Sequence, residues 1–216
     1  MSQSHPDSNL HPAATGDAAK TVSDHSKTNP LKLYSGWFCP FVQRVWLVLQ
    51  EKNIPYEYVE VNPYNKPASL LFLNPRGLVP TLQYEGKPLY ESAVICEFLE
   101  DAFPDSGPRL LPADPYVKAR CRIWIDYCGS RIIPCFHRFL QFQPVGDEVG
   151  LKRVREEFLG SLKLFAQEME GRGPFFLGAE PCLVDFVVAP WAVRLFSLLC
   201  FSVDGLPTVL GSIVDF

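Results

Sequence analysis

From Leu31 to Phe103 the apolar residues alternate between period two and helical spacing, and beyond a short proline-rich stretch only helical spacing remains. A strand turns successive side chains to opposite faces, whereas a helix repeats every ~3.6 residues, so this change of period divides the chain into a mixed α/β part and an all-helical part. Leu31-Lys32-Leu33-Tyr34-Ser35 reads as a strand. Gly36-Trp37-Phe38-Cys39-Pro40 then turns into a helix whose apolar stripe is Val42, Val45, Trp46 and Leu49, ending near Asn53. Tyr56 to Val61 alternates again, Pro67 to Leu73 suits a short helix, and Asn74-Pro75-Arg76-Gly77 breaks it. Thr81 to Tyr84 and Lys87 to Tyr90 flank Glu85-Gly86, the two-residue loop of a hairpin. Val94, Ile95, Phe98, Leu99 and Ala102 mark the next helix.

Pro104 to Pro112 carries three prolines, one glycine and little periodicity, which is linker composition. Helices are expected over Asp114 to Gln141, kinked at Pro134, over Asp147 to Met169, and over Val184 to Leu199, which is apolar on nearly all faces. Residues 1–30 are rich in Ser, His, Asp, Pro and Thr and lack the apolar stretch of a signal peptide or anchor. The expected domains are a disordered tail over residues 1–30, an α/β domain over 31–103, a linker over 104–113 and a helical domain over 114–216.

Composition narrows the function. With 47% hydrophobic and 13% aromatic residues the chain can fill a core. A net charge of -4 without a block of lysines or arginines lacks the electrostatic footprint of a nucleic-acid binder. No apolar run reaches the roughly 20 residues that span a bilayer, because Arg194 interrupts the candidate Phe186 to Phe201, so no membrane partner is expected. Seven cysteines, an odd number, do not read as a disulfide framework and fit a reducing compartment, the cytoplasm. Cys121, Cys128 and Cys135 recur every seven residues, which is core spacing, and no cysteine joins a convincing metal set. No nucleotide fingerprint or Gly-rich phosphate loop occurs, so neither a metal nor a nucleotide is expected.

Cys39 is the candidate for chemistry. A cysteine at the first turn of a helix faces unpaired backbone N–H groups and the positive end of the helix dipole, which favour its thiolate. Such thiols fall from about 8.5 toward roughly 3.5 to 7.5. The alternative is a buried structural cysteine, although packing alone explains Cys-Pro at a strand-to-helix turn poorly. Cys39-Pro40-Phe41-Val42 lacks the second cysteine of a C-x-x-C dithiol, so an external thiol must resolve any disulfide formed at Cys39.

The element order, together with Phe38-Cys39-Pro40-Phe41, Asn65-Lys66-Pro67, Asn74-Pro75-x-Gly77-Leu78-Val79-Pro80, Tyr90-Glu91-Ser92-Ala93 and Leu110-Leu111-Pro112-x-Asp114-Pro115, resembles the cytosolic glutathione transferases, and in detail their omega class. The resemblance covers roughly Leu31 to Phe201. It implies a thioredoxin-like N-terminal domain that binds glutathione as cosubstrate, and a helical domain that supplies most of the second-substrate pocket. Cys39 would accept a mixed disulfide that a second glutathione resolves. Val79 and Pro80 would be the cis-proline position that pairs with the cysteinyl part of glutathione as an added strand. Ser92 and nearby N–H groups would hold the γ-glutamyl carboxylate and Glu91 its ammonium, a helix cap being the plain alternative. Lys66 would meet the glycyl carboxylate or be a solvated lysine, and Phe41 would lie against the tripeptide or in the core.

Two features depart from the family pattern. Cys182 stands where a capping Ser or Thr precedes Asp185, and a thiol caps poorly. The family has further helices after Val184 to Leu199, so the helical domain is expected to be incomplete, with reduced stability or a tendency to associate. The activities implied are thiol transfer or dehydroascorbate reduction through Cys39, with small-molecule disulfides or oxidised acceptors as partners. Glutathione conjugation is an alternative, as is a non-catalytic module like the chloride intracellular channel family, which Cys39-Pro40-Phe41-Val42-Gln43-Arg44 also resembles. Homodimers are the family habit.

Overall fold

The computed structural model describes residues 13–200 apart from Pro63 and Pro144, and only the backbone of residues 196–200. The expectation of an incomplete helical domain after Val184 to Leu199 concerns residues 201–216, which lie outside the described residues. The chain divides into two compact units, one ending at Pro112 and the other beginning at Ala113.

The first unit holds a sheet of order β2-β1-β3-β4, built from β1 (Leu31–Ser35), β2 (Glu57–Glu60), β3 (Thr81–Tyr84) and β4 (Lys87–Tyr90). Helix α2 (Pro40–Glu51) returns the chain across the sheet, so β1 and β2 pair in parallel with Leu33 opposite Tyr58. β3 is antiparallel to both β1 and β4. The β3–β4 turn places Glu85 and Gly86 at φ 50° and 81°, the left-handed pair that matches strand twist in a two-residue loop. On α2, Val42, Val45, Val48 and Leu49 are buried, and α4 (Ser92–Ala102) buries Ile95, Cys96 and Leu99. Two expected stripe positions differ: Trp46 is half-buried and Val94 exposed, because the contact face is set by the packing of α2 on α4. Tyr34, on the strand face opposite Leu33, forms a second cluster with Val61, Leu70 and Leu73, which seats α3 (Ala68–Leu73).

The expected disordered tail contains a helix, α1 (Gly16–Asp24). None of its residues is buried. The segment is instead tied to the outer edge of β2, whose polar groups need partners. The Tyr58 amide donates to the His25 carbonyl at 2.8 Å, the Asn29 amide to Glu57 Oε2 at 3.1 Å, and the Ala14 amide to Glu60 Oε1 at 2.6 Å. The His25 ring stacks on Tyr56 at 4.1 Å.

The stretch expected as a plain linker is also fixed to this unit. Lys52, at the C-terminal end of α2, has no exposed surface, and its Nζ lies 3.0 Å from Glu100 Oε2. The same Nζ donates to the Pro108 carbonyl at 3.2 Å, while Glu100 Oε1 accepts from the Leu110 and Leu111 amides at 3.0 and 3.3 Å. Gly107 passes so close that a Cβ there would lie 2.6 Å from Lys52 Cα. A buried charge is tolerable only when paired and hydrogen-bonded, and both ions meet that condition.

The second unit comprises α5 (Pro115–Tyr127), α6 (Ile133–Gln141), α7 (Glu148–Glu168) and α8 (Leu183–Cys200). The kink expected at Pro134 is a π turn over Cys128–Ile132 that joins α5 to α6. A proline cannot donate to the preceding turn, and widening that turn is one way a helix absorbs the loss. Trp124, Phe165 and Phe176 pack with ring centres 5.3 to 6.0 Å apart. The start of α8 is firmer than its Cys182 suggested, because Asp185 Oδ2 accepts from the Cys182 amide at 2.8 Å and Oδ1 from the Phe176 amide at 2.9 Å. Asp185 thus supplies the returning half of a capping box. The Cys182 thiol is pushed up by its hydrogen bond with Cys121, by burial and by Asp185. Among the described residues no helix is long and apolar enough to cross a membrane.

Lys52→Met strands the Glu100 carboxylate among buried groups, and breaking a buried pair this way costs about 3–5 kcal/mol. Urea unfolding should show that loss for Lys52→Met, and the double variant Lys52→Met/Glu100→Leu should recover part of it.

Candidate active site

Strand β1 ends at Ser35, and the Cys39 amide closes the next turn by donating to the Gly36 carbonyl at 2.9 Å. Cys39 is thereby the N-cap of α2, with Pro40 at the first helical position and the Gln43 amide donating to the Cys39 carbonyl at 3.1 Å. Cys39 is half-buried, whereas Cys96, Cys121, Cys128, Cys135 and Cys182 are buried. Its Sγ accepts no capping bond from α2 and instead lies 3.8 Å from the Val79 carbonyl oxygen, to which the thiol can donate. Close by, burial holds the Tyr58 hydroxyl well above the ordinary phenol range, and the charges of Glu60, Tyr56 and Cys39 would add to it. Tyr58 therefore stays protonated.

The Val79–Pro80 peptide is cis. The loop that leads to it is shaped by Asn74, a buried amide whose Nδ2 donates to the Leu78 carbonyl at 3.2 Å and to Thr81 Oγ1 at 3.1 Å, while its Oδ1 accepts from the Arg76 amide at 3.1 Å. Gly77 sits at φ 60°, so this loop needs glycine for its conformation, and the Lys66 side chain lies over it with Cδ 2.6 Å from where a Cβ would stand. Among the described residues the Val79 amide has no hydrogen-bond partner.

Glu91 turns the chain from β4 into α4 at φ 72°, a left-handed conformation that costs a non-glycine residue on the order of 1 kcal/mol or more. That turn leaves Ser92 as the first residue of α4, 7% exposed, with its Oγ accepting from Arg44 Nη1 at 3.1 Å. The Glu91 carboxylate meets the Arg76 guanidinium on the surface, where such a pair stabilises by at most about 1 kcal/mol. Lys66 Nζ donates to the Arg76 carbonyl at 3.4 Å. Phe41 is 37% exposed, so the core reading fails for it, and the Arg44 guanidinium lies 5.4 Å from its ring centre.

The sequence-derived residues therefore form a connected run. Lys66 touches Arg76, Arg76 pairs with Glu91, Ser92 bonds Arg44, Arg44 covers Phe41 in the first turn after Cys39, and Cys39 reaches Val79 beside Pro80. Arg44, Arg76 and Asn74 were missed as site-forming residues. Asn74 lies in a stretch whose turn composition is visible in the sequence, whereas only burial distinguishes Arg44 from an arginine on a helix surface.

Residues 38–102 match the family model for the glutathione S-transferase N-terminal domain. Glutathione S-transferase omega-1 of Sus scrofa is 38% identical over 78% of this chain and 68% of its own length. Among solved structures, glutathione transferase Omega 3C from Trametes versicolor superposes with a TM-score of 0.81 at 46% identity, covering 88% of this chain and 83% of that one. Rice GST1, solved in complex with glutathione, superposes with a TM-score of 0.73 at 29% identity, covering 88% and 86%. The thioredoxin-like sheet followed by a helical unit is thus the glutathione transferase fold. The chain belongs to the glutathione transferase family, in its omega class.

Burial predicts a sharp order of thiol reactivity. Brief alkylation of the native protein, read by peptide mass spectrometry, should modify Cys39 well before Cys96, Cys121, Cys128, Cys135 or Cys182, and those five should react only on unfolding.

Proposed function

We propose that the protein is a glutathione-dependent thiol transferase, with dehydroascorbate reduction as a related activity, acting through Cys39. The observation that carries this is a half-exposed thiol at the N-cap of α2, with Val42 where a dithiol enzyme would place its second cysteine. In the reaction the Cys39 thiolate attacks the glutathione sulfur of a mixed disulfide, forming Cys39–S–S–glutathione and releasing the acceptor as a thiolate. A second glutathione thiolate then attacks the glutathione sulfur of that intermediate, which yields oxidised glutathione and returns the Cys39 thiolate.

Two effects compete at the sulfur. An S–H···O contact of 3.8 Å to Val79 is long and favours the protonated thiol only weakly. The α2 N-terminus favours the anion by up to about 2 kcal/mol in partly buried geometry, which outweighs so long a contact. Substrate would tilt the balance further. If the cysteinyl amide of glutathione donates to the Val79 carbonyl in the manner of an added strand, it takes the acceptor that the Cys39 thiol uses when the site is empty.

The remaining roles follow from chemistry. The α4 N-terminus and the Ser92 hydroxyl suit the γ-glutamyl carboxylate, and the second oxygen of Glu91 suits its ammonium. Lys66 suits the glycyl carboxylate, Pro80 fixes the loop that presents Val79, and the exposed face of Phe41 offers apolar contact. The α/β domain over residues 31–103 would then carry glutathione, and the helical domain from residue 114 would carry the second substrate. Five buried thiols that remain free fit a reducing compartment such as the cytoplasm.

Purified protein should reduce a glutathione mixed disulfide in the presence of glutathione, and Cys39→Ala and Cys39→Ser should both fall to the uncatalysed rate. Thiol transfer that survives both substitutions would end this reading. A wild type that only conjugates glutathione to electrophiles would replace it with the conjugating one.

A further inference from the structure

The α2–α4 pair has an internal regularity. Arg44 bonds Ser92 and Lys52 bonds Glu100, and both contacts span 48 residues. The two helices therefore run parallel in fixed register, with polar locks eight residues, or about 12 Å, apart along each axis. The far lock is structural, and the near lock sits at the start of α4. We infer that Arg44 is a positioning residue that fixes the Ser92 hydroxyl as a hydrogen-bond donor toward the carboxylate of the γ-glutamyl group. This rests on the reading of Ser92 as a glutathione contact given above.

A guanidinium has donors only, so at 3.1 Å from Nη1 the Ser92 Oγ accepts. A hydroxyl carries a single proton, and with Oγ engaged by Arg44 that proton must point elsewhere. Among the described residues it has no acceptor, although Ser92 is only 7% exposed and an unmade buried donor is costly. An anionic ligand at the α4 N-terminus is the acceptor that this arrangement lacks. Arg44 is itself 4% exposed, so its charge acts from a poorly screened position and adds to the dipole of α4. The neighbouring Cys96 thiol, pushed up to about 12 by burial against the pull of Arg44, supplies no countercharge.

The test is glutathione affinity by calorimetry on the full chain, for Arg44→Gln, Arg44→Lys, Ser92→Ala and the double variant Arg44→Gln/Ser92→Ala. Each of Arg44→Gln and Ser92→Ala should weaken binding on the order of tenfold, the size of one hydrogen bond to a charged group. The double variant should lose little more than the worse single one, because Arg44 acts through Ser92. KM for glutathione should move more than kcat, Arg44→Lys should rescue part of the loss, and the alkylation rate of Cys39 without glutathione should stay within about twofold of wild type, since α2 is intact. Losses that multiply to roughly a hundredfold in the double variant, or an Arg44→Gln affinity equal to wild type, would overturn the inference. If melting shows that Arg44→Gln does not fold, Arg44→Lys takes its place in the same cycle. A wild type that fails to bind glutathione would sink the functional reading itself, whereas additive losses would sink only the role of Arg44.

Discussion

A lysine with no exposed surface holds this α/β unit in shape. Lys52 at the end of α2 pairs with Glu100 near the end of α4, and the two ions collect three further backbone groups from the segment that leaves the unit. The same two helices begin at the candidate site, α2 with Cys39 and α4 with Ser92. Parallel helices locked at their far ends by an ion pair and at their near ends by Arg44 and Ser92 cannot slide past each other without breaking buried polar bonds. The distance between the Cys39 thiol and the Ser92 hydroxyl is thereby set by the core rather than by loops, which is what a reaction sensitive to small displacements needs.

The site groups that do come from turns are each fixed by a backbone requirement. Glu91 takes a left-handed conformation to bring Ser92 to the first position of α4, and Gly77 takes one beneath the Lys66 side chain. Asn74 spends all of its amide on the loop before Val79. Strain at Glu91 persists because the surrounding sheet and helix determine it, and its position at a candidate ligand contact agrees with where proteins keep such strain.

Much of this was legible in the sequence. Change of period located the two units, Glu85-Gly86 gave the hairpin, and Cys39-Pro40 at a strand-to-helix turn gave the nucleophile candidate. What escaped was everything held by polar contacts between distant residues. Nothing in the apolar pattern marks Lys52 and Glu100 as a buried pair, α1 buries none of its residues, and Arg44 is a buried cation in a position where most arginines are solvated. Cys182 erred the other way, since a poor cap at one residue was made good by the carboxylate of Asp185. Apolar periodicity reports burial, and it is silent about charges that are buried in pairs.

If Cys39 is the nucleophile proposed, the start of α2 must favour its thiolate despite the contact with Val79. The most direct measurement is the rate of Cys39 alkylation against pH, followed site by site in the folded protein. The expected titration midpoint lies below the value of about 8.5 for a free cysteine, with a slower, upshifted profile once urea removes the helix. Identical profiles in the folded and unfolded protein would contradict it.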